Sequence, residues 1–281
     1  MESRWLDEKI MEEYRNWLCM EEKEDATIEK YMRDVGKFYR FVKGRDIEKK
    51  LVILYKQYLV ESEYAVSSIN SMLVATNRLF TYLGWDDCKV KTIKKQKQIY
   101  CPADKELTRE EYLRLIDIAY EEGNERLALI LQTLCATGIR VSELQYITVE
   151  AVLQGEAVVC CKGKVRVVFI VSQLRGKLID YVMRRKIVRG SIFITRTGRP
   201  LDRINVWRQM KYISQRANVN PEKVTPHNLR HLFARAFYHS NKDIIKLADV
   251  LGHSSINTTR IYVISTGNEH QKCMETLKLV P

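Results

Sequence analysis

Histidine, arginine and tyrosine side chains that could bind and act on a phosphate are grouped in the second half of the chain. In the segment 225–231, Thr225 and Pro226 are typical of the N-cap and first residue of a helix. His227 and Arg230 are three residues apart, so they would share one face of that helix. The free amides of a helix N-terminus already favour an anion. The segment therefore predicts a phosphate-binding site.

Three further clusters carry residues of the same kinds. In the segment 137–144, T-G-I-R-V-S-E-L, the glycine should end a helix and leave Arg140 at a turn, from which its guanidinium can reach outward. Lys162 falls in the turn of a predicted hairpin, and L-G-H, ending at His253, precedes Tyr262. A lone tyrosine at helical spacing usually belongs to a core. The four clusters together, rather than any one of them, indicate a reactive site.

The elements that must position these clusters begin with a helical first half. Its apolar residues recur at helical spacing and predict four short amphipathic helices. Thr27 is a candidate N-cap of the second helix, and Gly44 and Gly84 would end the second and fourth. The four predicted helices lie within 6–18, 28–42, 51–59 and 66–83. Together they would form a compact helical domain.

The second half combines helices with a small sheet. Thr108 and Glu111 have the spacing of a capping box, in which each side chain accepts from the other residue's free amide. The apolar, β-branched segments 157–161 and 165–171 predict a hairpin. Helices are predicted over 109–122, 125–137, 173–188 and 202–218, with a short strand at 192–194. The predicted fold class is mainly α with a small antiparallel β-sheet (α+β), and Trp85 and Trp207 are assigned to the core.

The net charge is +12, and most of the basic excess lies after residue 100. A basic chain attracts polyanions, of which nucleic acid is the commonest soluble one. No apolar run reaches transmembrane length, and the polar residues 1–8 are unlike a secretory signal, so a cytoplasmic protein without membrane contact is expected. The seven cysteines include no C-x-x-C pair and no zinc-ligand spacing, so no metal site is predicted.

A basic segment, 89–104, interrupts the helical pattern and predicts an interdomain linker. Residues 89–103 contain five lysines and no acidic residue, and a linker between two domains of a basic protein is well placed to cross a DNA backbone. Composition alone favours a solvated loop equally. The lysines predicted to contact DNA are Lys91, Lys94, Lys95 and Lys97.

Taken in order, the clusters resemble the tyrosine recombinase (phage integrase) family. The catalytic pattern of that family is Arg, Lys, His-x-x-Arg, a second His or a Trp, and a Tyr nine residues later. The resemblance covers about 105–265 and extends more weakly to the helical first half, which looks like the family's core-binding domain. The matching residues here are Arg140, Lys162, His227, Arg230, His253 and Tyr262.

The resemblance implies a division of the chain. Residues 1–88 would be a helical, SAM-like core-binding domain, 89–104 the linker and 105–264 the mixed catalytic domain. The tail 265–281 would dock on a neighbouring protomer, with packing on its own protomer as the alternative. No additional arm-binding domain is evident. This suits the simple recombinases that resolve chromosome dimers, invert DNA or move small mobile elements.

The resemblance also implies a mechanism. Tyr262 would attack a phosphodiester and form a 3′-phosphotyrosine, which keeps the bond energy, so no metal, ATP or other cofactor is needed. Arg140 and Arg230 would bind the non-bridging oxygens. His227 and His253 would donate further hydrogen bonds, and one of them could accept the tyrosine proton.

The hairpin turn departs from the family pattern G-K-G-x-K-x-R, in which the first Lys is catalytic. Cys161 replaces the first Gly, and the turn is one residue shorter. Lys162 is the predicted general acid for the leaving 5′-oxygen, and Lys164 is the rival. Either lysine could instead only contact a phosphate, and Lys164 is also a predicted DNA contact.

Neighbouring residues and partners complete the prediction. Glu143 is expected to orient Arg140 rather than act on the phosphate, and His231 to have a structural role. The implied partners are double-stranded DNA and further copies of the chain. These would form a homo-tetramer on two DNA sites, and a monomer or weakly self-associating protein without DNA. The rival functions are a type IB topoisomerase and a catalytically inactive DNA-binding regulator.

Overall fold

Three hydrophobic clusters lie within the described residues, one in the first part of the chain and two in the second. The computed structural model describes residues 3–94, 105–161, 164–253 and 255–262. The chain divides into two units, Met1–Lys97 and Gln98–Pro281. Within the described residues, every helix is too short or too polar to cross a membrane.

The first unit is built from helices packed around aromatic side chains. Phe38 lies edge-on to Tyr55 and to Phe80, with ring centroids 5.0 Å and 5.6 Å apart. These arrangements suit the charge distribution of aromatic rings and fill the centre of the core. The helices are α1 Glu8–Met20, α2 Asp25–Val42, α3 Lys49–Glu61 and α4 Val66–Leu83, followed by a 3₁₀ turn, Asp86–Cys88.

The start of α2 differs from the prediction. The helix begins at Asp25 after Glu24, whose side chain makes no cap hydrogen bond, so Thr27 lies inside the first turn rather than at the N-cap. By contrast, Gly84 ends α4 in the left-handed conformation that favours glycine, as predicted.

The second unit consists of helices and a small sheet. The predicted capping box of Thr108 and Glu111 is present at the start of α5. The elements are α5 Arg109–Glu121, α6 Glu125–Thr137, a 3₁₀ helix Val141–Tyr146, α7 Val149–Gln154, β1 Glu156–Cys161, β2 Lys164–Phe169, α8 Ser172–Arg185, α9 Arg203–Arg216, α10 Pro226–Asn241, α11 Ile244–Leu251 and α12 Ile256–Arg260. The prediction of a mainly helical protein with a small antiparallel sheet is confirmed.

The two strands β1 and β2 pair antiparallel, from Glu156 opposite Phe169 to Cys161 opposite Lys164. Ala157 and Val159 face the core, whereas Val158, between them, is exposed. This alternation fixes which face of β2 can reach the rest of the unit.

Two predictions for the second unit are wrong. Residues 192–194 do not form a strand. The pairing in this segment consists of two isolated bridges, one from Ser191 to Thr148 and one from Ile194 to Pro200. The apolar character of that segment reflects burial of Ile192 and Phe193 in the core. Trp207 is 47 % exposed, because α9 turns Val206 rather than Trp207 toward the core.

Candidate active site

The centre of the site is the first half of α10. Thr225 accepts a hydrogen bond from the amide of Asn228, and Pro226 occupies the first turn, as the sequence predicts. The next turn carries Arg230, whose residue is only 3 % exposed. This helix start therefore turns a guanidinium into the interior of the unit.

Arg230 connects the ends of two other helices. Its Nη1 donates to the carbonyl of Gly138, after α6, and its Nη2 donates to the carbonyl of Leu251, at the end of α11, over 2.7 Å. The carbonyl-rich end of a helix favours a cation. Burial and the neighbouring charge of Arg140 lower the pKa of Arg230 to about 10, so the group remains positively charged at neutral pH.

Gly138 makes the turn that delivers Arg140. Its φ is +63°, and a Cβ placed there would lie 2.4 Å from the ring of Phe233 on α10. Glycine alone combines this backbone with so close an approach. The chain then leaves α6 sharply, and Arg140 becomes the N-cap residue of the following 3₁₀ helix.

Glu143 holds Arg140 in place. One carboxylate oxygen accepts from Nη1 of Arg140 over 2.9 Å, and the other accepts from its backbone amide over 2.8 Å. The second oxygen also accepts from Nη2 of Arg166 on β2 over 2.6 Å. Burial raises the pKa of Glu143, but the amide of Arg140 and the charge of Arg166 outweigh it and hold the pKa below its ordinary value. An ionised, buried carboxylate is thus shared by two arginines.

His253 reaches the same point from the turn after α11. Its Nε2 lies 2.9 Å from Nη2 of Arg230, and its Nδ1 lies 2.8 Å from Oγ1 of Thr259. A guanidinium can only donate, so Nε2 must accept and the proton must lie on Nδ1. Burial and the charge of Arg230 lower the pKa of His253 to about 4, which keeps this ring neutral.

His227 and His231 form a second imidazole pair on α10. Their Nε2 atoms are 2.9 Å apart, so one ring donates and the other accepts. Burial and the proximity of His227 lower the pKa of His231 to about 4. The residue His227 is exposed overall, but part of its ring is covered by protein, and this desolvation together with the charge of Arg230 lowers its pKa.

Tyr262 lies among these rings, just after α12. Its ring centroid is 4.2 Å from that of His231, 5.5 Å from that of His253 and 5.6 Å from that of His227. The residue is 7 % exposed. The apolar side chains that pack with it are those of Ala234, Leu247 and Leu251.

The structure brings together five of the six residues that the sequence predicts to be catalytic. They come from the turn after α6, from α10, and from the segments that follow α11 and α12. They are Arg140, His227, Arg230, His253 and Tyr262. The sixth, Lys162, lies outside the described residues, as does the predicted tail 265–281.

The structure describes some of the lysines that are predicted to contact DNA. Lys91 and Lys94 are exposed residues of the first unit, and Lys95 and Lys97 lie outside the described residues. Lys164 begins β2, opposite Cys161. Among the residues that the structure describes, no three His, Cys, Asp or Glu side chains are grouped as they would be to hold a metal ion.

Sequence reasoning missed the place of Arg166 and Thr259 in the site. The residues beside Arg166 favour the opposite orientation, because alternation with apolar Val165 and Val167 predicts an outward-facing arginine, whereas both valines are exposed in the structure. A charged residue at an inward-facing strand position needs a partner, and here that partner is Glu143. No local pattern distinguishes Thr259 from the neighbouring Thr258.

Comparisons with known proteins point to one family. A model of the Phage integrase family matches residues 105–269. The tyrosine recombinase XerA of Thermococcus kodakarensis is 30 % identical over 279 residues, covering 97 % of this chain and 96 % of the relative. The tyrosine recombinase XerD of Staphylococcus haemolyticus is 29 % identical, covering 91 % of this chain and 93 % of the relative.

Solved structures share the fold. The λ integrase (75–356) dimer bound to a COC′ core site aligns with a TM-score of 0.75 at 17 % identity, over 90 % of this chain and 94 % of that one. XerH bound to palindromic difH substrate, in a post-cleavage complex, aligns with a TM-score of 0.71 at 20 % identity, over 89 % of this chain and 79 % of that one. The family match over more than half of the sequence, and a 30 % identical relative over nearly all of it, show that this chain belongs to the phage integrase family of tyrosine recombinases.

Proposed function

We propose that this protein is a site-specific DNA recombinase that cleaves and rejoins double-stranded DNA through a covalent bond between Tyr262 and a 3′-phosphate. The observation that carries the proposal is the position of Tyr262, whose ring lies against His231 and His253. Arg230, in turn, hydrogen-bonds to His253. A phenol beside neutral imidazoles and permanent cations is the arrangement that attack on a phosphodiester requires.

The chemistry follows from these groups. A free tyrosine has a pKa near ~10 and is a poor nucleophile at neutral pH, so a nearby base or cation must assist it. The phenol oxygen forms the new bond to phosphorus, the bond to the 5′-oxygen breaks, and the phenol proton passes to an imidazole. Arg140 and Arg230 stabilise the negative charge that accumulates on the non-bridging oxygens.

Lys162 donates the proton that the departing 5′-oxygen needs, with Lys164 as the rival donor. Reversal by a different 5′-hydroxyl rejoins the strand, with Tyr262 as leaving group. Bond energy is conserved in the phosphotyrosine, so neither ATP nor a metal ion takes part.

The same proposal assigns the parts of the chain. Residues 1–88 form a core-binding domain and 105–264 the catalytic domain, with the basic linker 89–104 crossing the DNA backbone. Structural neighbours include a λ integrase dimer on a core site and a λ integrase tetramer on a Holliday junction. By analogy, four copies of this chain act on two DNA sites, and the protein is monomeric or weakly self-associating without DNA. The tail 265–281 docks on the next protomer.

A nicked suicide substrate tests the proposal, because the fragment beyond the cleavage point diffuses away and traps the covalent adduct. Wild type should yield the adduct and Tyr262→Phe none. Tyr238→Phe is the matched control, since Tyr238 packs against the same apolar cluster from α10 and should leave the adduct unchanged. An adduct that survives Tyr262→Phe would refute the assignment of the nucleophile.

The products separate the rival functions. Recombinant DNA from paired sites is expected of a recombinase. Relaxation of supercoils without recombinants would indicate a topoisomerase, and sequence-dependent binding without any adduct would indicate a regulator.

A further inference from the structure

We infer that Arg166 is a positioning residue for strand cleavage, which keeps the charge of Arg140 available to the phosphate; this rests on the proposed function. Arg166 lies on β2, at an inward-facing position between exposed Val165 and Val167. The reaction described above does not use it.

Arg166 connects its own strand to two other segments of the second unit. From its own strand, its Nη2 donates to Glu143 over 2.6 Å, and its Nη1 donates to the carbonyl of Val250 on α11 over 2.7 Å. Its side chain is only 13 % exposed. The guanidinium therefore joins β2, which begins two residues after Lys162, to the helix turn that carries Arg140 and to the end of α11.

The stem of Arg166 also lies against the turn that precedes His253. Gly252 there has a φ of +65°, and a Cβ on it would lie 2.4 Å from Cδ of Arg166. The stem of Arg166 fills the space that a side chain at position 252 would need, so such a side chain would displace the arginine. Arg166 thus supports both the Arg140 segment and the His253 segment.

The charges explain why an arginine is needed. Glu143 is almost fully buried and ionised, and it accepts from both Arg140 and Arg166. Two guanidiniums and one carboxylate leave one positive charge to act on a ligand. Without Arg166, the buried carboxylate would interact with Arg140 alone, and that pair would be neutral. Arg166 therefore compensates Glu143 so that Arg140 can act on the phosphate.

Single-turnover cleavage by Arg166→Met tests this on two substrates. One substrate has an ordinary scissile phosphate, and the other has a methylphosphonate, which lacks one negative oxygen and so demands less positive charge. We expect cleavage of the phosphodiester to fall about 100-fold, as for loss of one preorganised charge donor. On the methylphosphonate the deficit relative to wild type should shrink to less than about tenfold.

A deficit of equal size on both substrates would overturn the inference, because a purely structural arginine would affect them alike. Arg175→Met is the matched control. Arg175 also donates to helix-end carbonyls, those of Val152 and Leu153, and packs beside a left-handed glycine, Gly155. It lies outside the site, and its variant should cleave both substrates like wild type.

The double variant Glu143→Gln with Arg166→Met gives a second readout. Without the carboxylate, nothing neutralises Arg140, so the double variant should cleave the phosphodiester faster than Arg166→Met alone. A double variant as slow as the single one, or slower, would contradict the charge argument.

If Arg166→Met fails to fold, the same comparisons are made with Arg166→Lys, which keeps the charge but cannot reach Glu143 and Val250 together. Its phosphodiester deficit should be less than tenfold, and a loss as large as 100-fold would count against the charge argument. Absence of an adduct with wild type would instead defeat the proposed function itself.

Discussion

The guanidinium of Arg230 lies 2.9 Å from Nε2 of His253, on the side of the ring opposite Thr259. This contact places the imidazole proton on Nδ1 and leaves Nε2 as an acceptor. The tautomer at the candidate reaction centre is therefore set by a neighbour that can only donate. If Arg230 binds the scissile phosphate as proposed, Nε2 of His253 would be released to exchange a proton.

Thr259 should matter for cleavage because its Oγ1 accepts a hydrogen bond from Nδ1–H of His253. Thr259→Val removes that acceptor and leaves Nδ1–H of His253 without a partner, whereas Arg230 still requires Nε2 to accept, so the ring loses one of the two contacts that orient it. We expect single-turnover cleavage to slow about tenfold or more, comparable to loss of a hydrogen bond that orients a catalytic histidine. The nitrogen chemical shift of Nδ1 should report the loss of this hydrogen bond, while the shift of Nε2 should remain that of an unprotonated acceptor. Thr258→Val, at the exposed neighbouring position, should change neither readout, and equal effects of the two variants would contradict the argument.

Arg230→Lys should lose both activity and stability. A lysine cannot donate simultaneously to Gly138, Leu251 and His253, so buried carbonyls lose their partners. We expect a loss of about 2–4 kcal/mol in the free energy of unfolding and at least a 100-fold slower cleavage. Urea unfolding and the suicide-substrate assay measure the two effects. Arg216→Lys, at an exposed pair with Glu122, should leave both nearly unchanged.

Gly138→Ala should destabilise the catalytic unit strongly. The left-handed backbone alone disfavours alanine by about 1 kcal/mol, and the clash with the Phe233 ring adds about 1–3 kcal/mol more. Gly198→Ala isolates the first effect, since its φ is +79° but nothing lies within 4 Å of the added carbon. Urea unfolding of both variants measures the loss in the free energy of unfolding. Equal losses would show that the close approach of Phe233 does not destabilise Gly138→Ala.

Stability should fall as the pH is lowered from 7.5 to 5. The pKa values of His231 and His253 are lowered to about 4 by burial, whereas a histidine of the unfolded chain titrates near ~6.5. Between those values the unfolded state binds protons that the folded state does not, so acid favours unfolding. Each ring contributes at most ~2 kcal/mol at pH 5, and partial solvent screening reduces the expected total to about 2 kcal/mol.

Unfolding measured across this pH range checks the expectation. His231→Asn should flatten the dependence, because one of the titrating groups is gone. Replacing His239, exposed at the end of α10, should leave the slope as it is in wild type. A wild-type stability that stays constant down to pH 5 would show that these rings titrate in the folded protein as they do in the unfolded chain.

Features governed by neighbouring residues were predictable from the sequence. The capping box at Thr108, the cap and proline at the start of α10, and the glycine turn before Arg140 all depend on contacts a few residues apart. They place the ends of helices correctly, and the candidate catalytic side chains lie close to those ends.

Features that depend on distant contacts were not predictable. Arg166 bonds to a carbonyl 84 positions away, and nothing in the residues beside it indicates that partner. The apolar segment at Ile192 was assigned to a strand because burial and strand pairing produce the same short pattern. Similarly, an apolar residue such as Trp207 does not show which face of its helix the core will cover.

On the proposed mechanism, Arg230 is subject to selection for cleavage and also for stability, because the carbonyls it satisfies belong to the ends of α6 and α11. In a duplicated gene no longer selected for DNA cleavage, this arginine should still be retained, since its loss would impair folding. The phenol oxygen of Tyr262 interacts with Arg230 but satisfies no helix-end carbonyl among the described residues, so its loss should cost less stability. Inactive descendants of this protein should therefore first show a phenylalanine at 262 while keeping the arginine at 230.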